Sequence, residues 1–143
     1  MLTNVQAVNA VSALFELLRP EFKGHRACED AKGRPTGRHA WHFEAWGHDL
    51  LIVTDAAFPY SRPNAFIANY DFTRNLPHVE KSGRLCLTKV EFSIDPTVAA
   101  KRVLAEALEL LAAHQTGTED DDLKEDFTNY WNQRADPDSP LLS

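Results

Sequence analysis

A chain of 143 residues, 43% hydrophobic and 25% charged, is long enough for one domain that buries a core without disulfides or a structural metal. Its net charge of −6 argues against phosphate-driven binding of nucleic acid, and no apolar run approaches the ~18 residues that a membrane span needs. With only two cysteines and no secretory signal at the N-terminus, we expect the protein in the reducing cytoplasm.

The first predicted element is an amphipathic helix. Thr3 and Gln6 have the spacing of a capping box, in which each residue satisfies a backbone N–H of the other. Apolar residues then recur at steps of three and four until Arg19-Pro20, where we expect the helix to end.

A meander of strands is predicted next. Glycines and a proline in residues 22–36 indicate one short strand and a mobile turn. Alternation from His39 to Trp46, a tight turn at Gly47-His48 and the apolar run from Leu50 to Thr54 predict an antiparallel hairpin. Ala65–Tyr70 supplies a fourth strand, after a proline-rich segment that rounds the sheet edge.

The long segment from Asp71 to Phe92 shows neither the helical nor the strand period. Segments of about twenty residues without regular structure are uncommon inside compact domains and are often functional. We therefore expect site residues here.

Two helices are predicted in the C-terminal part of the chain. Asp95 as the cap and Pro96 at the first helical position begin one of them, and Gly117 ends it. Thr118 and Asp121 can cap the other. The apolar stripe of the first helix consists of Ala100, Leu104, Ala107, Leu108 and Leu111. The order of elements predicts an α+β fold whose antiparallel sheet packs one face on helices.

Three motifs follow one another at compatible spacing: Phe58-Pro59-Tyr60-Ser61-Arg62-Pro63, Gly83-Arg84-Leu85-Cys86-Leu87 and Asp95-Pro96. Together they resemble the active-site region of ubiquitin-conjugating enzymes, whose cysteine carries a ubiquitin-like protein as a thioester. The resemblance implies that family's fold over residues 1–134. Its parts are an N-terminal helix, a four-stranded antiparallel meander, a long active-site loop and two C-terminal helices.

Two positions depart from the family pattern. Arg62 replaces the first proline of a closing Pro-Pro pair. Leu76-Pro77-His78 occupies the place of a His-Pro-Asn triplet whose asparagine lies eight residues before the cysteine. His78 thus takes the position of the usual oxyanion donor, and a neutral imidazole N–H can also donate.

The resemblance implies three catalytic residues. Cys86 is the thioester carrier, His78 the oxyanion donor, and Asp120, or its neighbours Asp121 and Asp122, the carboxylate that orients the attacking amine or accepts its proton. A solvated helix N-terminus is the simpler interpretation of that acidic run, and a buried structural thiol that of Cys28. We expect no cofactor and no metal site. On a strand, the three-residue spacing of His39 and His42 would place their side chains on opposite faces of the sheet, too far apart to share a metal ion.

The last predicted helix, with Glu125-Asp126-Phe127 and Tyr130-Trp131, resembles divergent bacterial members of the family from antiphage operons. Some of these continue into a fused activating domain, so we expect residues 135–143 to be a flexible tail or a linker cut from a longer chain. The implied partners are a ubiquitin-like modifier, a separate or fused activating enzyme and an amine-bearing protein target.

Two other hypotheses remain open. The first is a non-catalytic scaffold that keeps the conjugating-enzyme fold to bind pathway partners, as the missing asparagine could signal. The second is a thiol hydrolase that uses Cys86 and His78. That chemistry usually activates a cysteine at a helix N-terminus, whereas Cys86 precedes its predicted helix by about ten residues.

Overall fold

A computed structural model describes residues 1–18, 21–74 and 76–116. The strands form one antiparallel sheet in the order β1-β2-β3-β4, so the predicted α+β fold with a four-stranded meander is confirmed. The second predicted C-terminal helix, Asp120 and the tail 135–143 lie outside the described residues. In chain order the elements are α1 (Asn4–Phe15), β1 (Phe22–Glu29), β2 (Pro35–Ala45), β3 (His48–Thr54), β4 (Asn64–Ile67), a 3₁₀ helix (Phe72–Arg74) and α2 (Pro96–Thr116).

Helix α1 begins at the predicted capping box. The Gln6 backbone N–H donates to Thr3 Oγ1 at 3.1 Å, and the Thr3 N–H donates to Gln6 Oε1 at 3.0 Å. The helix ends at Phe15, about one turn before the predicted end at Arg19-Pro20. The apolar pattern continues to Leu18, which is buried, but its N–H donates to the Phe15 carbonyl three residues back. After Phe15 the backbone therefore forms turns with hydrogen bonds three residues apart instead of a regular α-helix, although Leu18 is still part of the core.

The β2–β3 hairpin turns one residue earlier than predicted. Ala45 pairs with His48, so the turn residues are Trp46 and Gly47 instead of Gly47-His48. Both have positive φ, 54° and 77°, as a two-residue hairpin turn with the twist of its strands requires. The predicted alternation in β2 is confirmed, because Trp41, Phe43 and Ala45 are buried.

Both helices pack on one face of the sheet. Phe15 of α1 meets Phe43 edge to face, with ring centroids 4.9 Å apart, and the Trp41 indole N–H donates to Ser12 Oγ at 2.9 Å. In α2 the Asp95 carboxylate accepts from two N–H groups of the first turn, and all five residues of the predicted stripe are buried. In the described part of the chain, neither helix is long and apolar enough to cross a membrane.

Candidate active site around Cys86

The residues before Cys86 extend the sheet beyond β4. The Leu85 N–H donates to the Ala65 carbonyl, and the Ile67 N–H donates to the Gly83 carbonyl, both at 2.8 Å. These contacts are isolated bridges, and the described residues between 71 and 92 contain no strand and no α-helix, so the prediction that this segment lacks regular structure is wrong only for the 3₁₀ helix Phe72–Arg74. Because only two neighbouring residues pair, the sequence has no alternation of apolar and polar residues from which a strand could be predicted.

The same residues also pair with the segment that precedes them. Val79 and Leu85 form an antiparallel bridge, and the Cys86 N–H donates to the His78 carbonyl at 2.8 Å. Leu85 is 3% exposed, whereas Cys86, its neighbour on the opposite face, is exposed. A buried leucine thus anchors the segment in which the Cys86 thiol is exposed to solvent.

Gly83 makes the turn of this small hairpin and lies against β4. Its φ is +91°, and a Cβ at this position would lie 2.5 Å from the Ile67 carbonyl oxygen. The turn therefore needs glycine both for its left-handed backbone and for its close approach to the neighbouring strand.

The His78 carbonyl accepts the hydrogen bond from the Cys86 N–H, and the His78 side chain is exposed. Its φ of 62° is in the left-handed region, where asparagine, aspartate and histidine are the enriched non-glycine residues. This explains how histidine can stand where the resembling family has asparagine. Sequence reasoning brought Cys86 and His78 to one place, and the structure brings them together; Asp120 is not among the described residues.

Tyr70 is a residue of this site that sequence reasoning missed. Its hydroxyl accepts a hydrogen bond from the Leu76 N–H at 3.0 Å, which ties the start of Leu76-Pro77-His78 to the end of the β4 region. The partner is a backbone group, so no pattern of residue types could have shown it.

The other candidate side chains have local partners. The His25 and His39 rings stack with their nitrogens 2.8 Å apart, and His42 lies 3.1 Å from an Asp49 oxygen. Partial burial lowers the pKa of His25 and His39, and the charge of His39 lowers that of His25 further. Over residues 1–18, 21–74 and 76–116, no three His, Cys, Asp or Glu side chains form a group able to hold a metal. Cys28 is half-buried in β1, less buried than predicted.

A small cavity lies beside the residues that flank Cys86. A cavity bordered by Arg84, Leu85 and Leu87 has a volume of about 20 Å³, which holds roughly one water molecule. Cys86 is not among the residues that line this cavity, and its thiol is exposed.

Comparison with known proteins assigns the family. No curated protein and no solved structure matches this chain. A family model described as prokaryotic E2 family B matches residues 28–139, a range that includes Cys86 and His78 and most of the fold. This bacterial family is ubiquitin-conjugating-like, in agreement with the motifs around Cys86 and with the α+β fold. The chain belongs to prokaryotic E2 family B.

Proposed function

We propose that this protein is a transferase that carries a ubiquitin-like protein as a thioester on Cys86 and passes it to an amine. The observation that supports this most is the exposed Cys86 thiol, next to residues that are hydrogen-bonded to the sheet, in a chain of a ubiquitin-conjugating-like family. A thiolate suits the task because it is both a good attacking group and a good leaving group.

The reaction has two steps. The Cys86 thiolate attacks the carbonyl carbon of a thioester on the activating enzyme, a new C–S bond forms, and the activating enzyme's cysteine leaves as a thiolate. A neutral target amine then attacks the carbonyl carbon on Cys86, a C–N bond forms, Cys86 leaves as a thiolate, and the amine proton passes to a base. The net result is an amide between modifier and target.

His78 is the proposed donor to the oxygen on which negative charge develops. The proposal is supported by the hydrogen bond from the Cys86 N–H to the His78 carbonyl, which keeps the two residues next to each other. We expect His78→Ala to slow amine discharge about 10²- to 10³-fold, the usual cost of losing one such donor. His78→Asn is the matched control, because asparagine tolerates the left-handed backbone and keeps an amide donor. Discharge by the Asn variant at the Ala rate would remove His78 from this role.

Asp120 remains the proposed carboxylate that orients the incoming amine. The proposed partners are a ubiquitin-like modifier, its activating enzyme and an amine-bearing protein, in a bacterial antiphage pathway of the cytoplasm. Residues 1–134 remain the predicted domain, with residues 135–143 as tail or linker.

Thioester formation tests the proposal directly. The protein is incubated with ATP, the cognate activating enzyme and modifier, and then analysed on non-reducing gels. We expect an adduct that a thiol reductant removes, and a reductant-resistant oxyester with Cys86→Ser. Cys28→Ser is the control and should keep the wild-type adduct, since Cys28 lies half-buried in β1. Absence of any adduct with the cognate set would refute the proposal.

A non-catalytic scaffold is the second candidate, and His78 in place of the family asparagine favours it. It predicts that Cys86→Ala leaves partner binding and antiphage protection intact. The thiol hydrolase is disfavoured, because α2 begins at Pro96, ten residues after Cys86, and Cys86 is not at the N-terminus of either described helix.

A further inference from the structure

The segment that follows Cys86 is held by a carboxylate from α2. Glu106 Oε1 accepts a hydrogen bond from the Lys89 backbone N–H at 3.0 Å. The second oxygen, Oε2, is buried and has no hydrogen-bond partner among the described residues. A carboxylate is therefore partly withdrawn from water in order to hold one backbone group three residues after the thiol. Hydrogen bonds with an ionised acceptor are about twice as strong as neutral ones.

The next two backbone groups are held by arginines. The Arg62 guanidinium donates to the Val90 carbonyl, and the Arg102 guanidinium donates to the Glu91 carbonyl at 3.4 Å. Consecutive residues 89, 90 and 91 are thus each fixed by a charged side chain, and we call this arrangement the 89–91 clasp. Arg62 stands at one of the two positions where the chain departs from the ubiquitin-conjugating pattern that it resembles. A proline at this position has no guanidinium and could not donate to the Val90 carbonyl.

We propose that Glu106 and Arg62 are positioning residues for Cys86, acting through the 89–91 clasp. Upstream, backbone hydrogen bonds to β4 and to His78 fix residues 83–86. Downstream, only Leu87 and Thr88 separate the thiol from the clasp, and Leu87 is packed against the core. The sulfur is therefore held from both sides. A reacting group misplaced by 1 Å can lose about a hundredfold in rate, so the clasp contributes to transfer without touching the substrate.

Glu109 offers a matched control on the same helix. It lies three residues after Glu106, and its Oε1 is 3.8 Å from the Lys89 ammonium, whose side chain is 67% exposed. Such an exposed ion pair contributes little and does not reach the backbone. Glu109→Ala thus removes a carboxylate near Lys89 and leaves the clasp in place.

The first measurements do not depend on the proposed function. In Glu106→Ala we expect faster amide hydrogen exchange at Lys89 and an altered rate of Cys86 alkylation by iodoacetamide, with Cys28 as the internal reference. Glu106→Gln keeps an acceptor oxygen and should restore both values, and Glu109→Ala should match wild type. Arg62→Ala is the second variant and should alter Cys86 alkylation from the opposite side. Unchanged Cys86 alkylation in both Glu106→Ala and Arg62→Ala would overturn the proposal.

The second measurement rests on the proposed function. It compares the kcat and KM for amine discharge of the Cys86 thioester. Glu106→Ala should lower kcat about ten- to a hundredfold with little change in KM, and Glu106→Gln should recover most of kcat. A Glu106→Ala variant that loses Lys89 protection but keeps wild-type kcat would show that the clasp is only structural. Failure of the wild type to form a thioester would refute the proposed function, and alkylation would still decide whether the clasp positions Cys86.

Discussion

Replacing Gly83 by alanine tests how residues 83–85 are held against β4. The new Cβ would lie 2.5 Å from the Ile67 carbonyl oxygen and 3.0 Å from Tyr70 Cβ, at a φ of +91°. A side chain in the left-handed region costs about 1–2 kcal/mol, and a contact that pushes packed backbone apart costs about 1–3 kcal/mol more. We therefore expect Gly83→Ala to lower the free energy of unfolding by about 2–5 kcal/mol.

Gly33→Ala separates the two contributions. Gly33 has a similar φ of +77°, but the nearest atom to an added Cβ is a Glu29 carboxylate oxygen at 3.8 Å. This variant should lose only the backbone part, about 1–2 kcal/mol. Urea titrations give both free energies, and amide exchange at Ile67 and Leu85 reports whether the strand pairing opens. Equal losses in the two variants, with both amides still protected in Gly83→Ala, would refute the argument from close approach.

Three further predictions concern stability. Asp95→Ala should cost about 1 kcal/mol as a lost helix cap. The hydrogen bond from the Thr97 hydroxyl, with smaller contributions from the Thr97 and Val98 N–H groups, lowers the pKa of Asp95. This stabilisation is therefore present above the unfolded pKa of about 4 and is lost as pH falls through the folded pKa, so thermal melts of variant and wild type should converge near pH 2. Burial lowers the pKa of His25 and His39. As the pH falls below about 6.5, the unfolded chain therefore binds protons before the folded chain does, and the free energy of unfolding decreases. Replacing both histidines by Gln should make the free energy of unfolding from urea titrations depend less on pH between pH 7 and 5, and an unchanged slope would contradict this. Ser12→Ala leaves the Trp41 indole N–H without its acceptor. The variant should lower the free energy of unfolding, measured by urea titration, by about 1–3 kcal/mol. A decrease of less than about 0.5 kcal/mol would show that the hydrogen bond contributes little to stability.

The two hypotheses for function separate at Cys86. A transferase loses its activity in every assay with Cys86→Ala, whereas a scaffold keeps its partners and its cellular effect. Thiol reactivity alone does not distinguish them, because the exposed Cys86 side chain is accessible in either case. Formation of a thioester by the wild-type chain would distinguish the transferase from the scaffold.

Features coded by neighbouring residues could be predicted from the sequence. The Thr3–Gln6 capping box, the Asp95 cap and the alternation in β2 each depend on positions a few residues apart, where side chains and backbone must meet whatever the rest of the chain does. The family motifs also singled out Cys86 and His78 by residue type and spacing, and their catalytic roles stay predictions.

What only the tertiary structure decided is how the segment around Cys86 is held. Leu85 pairs with Ala65, and Glu106 accepts from Lys89, so each bond joins a side chain or backbone group to backbone far away in the sequence. Almost every residue has the same backbone donor and acceptor, so the sequence does not show which backbone groups will pair. The sequence determined which residue carries the thiol in this protein; folding decided that the thiol is exposed and which groups hold it.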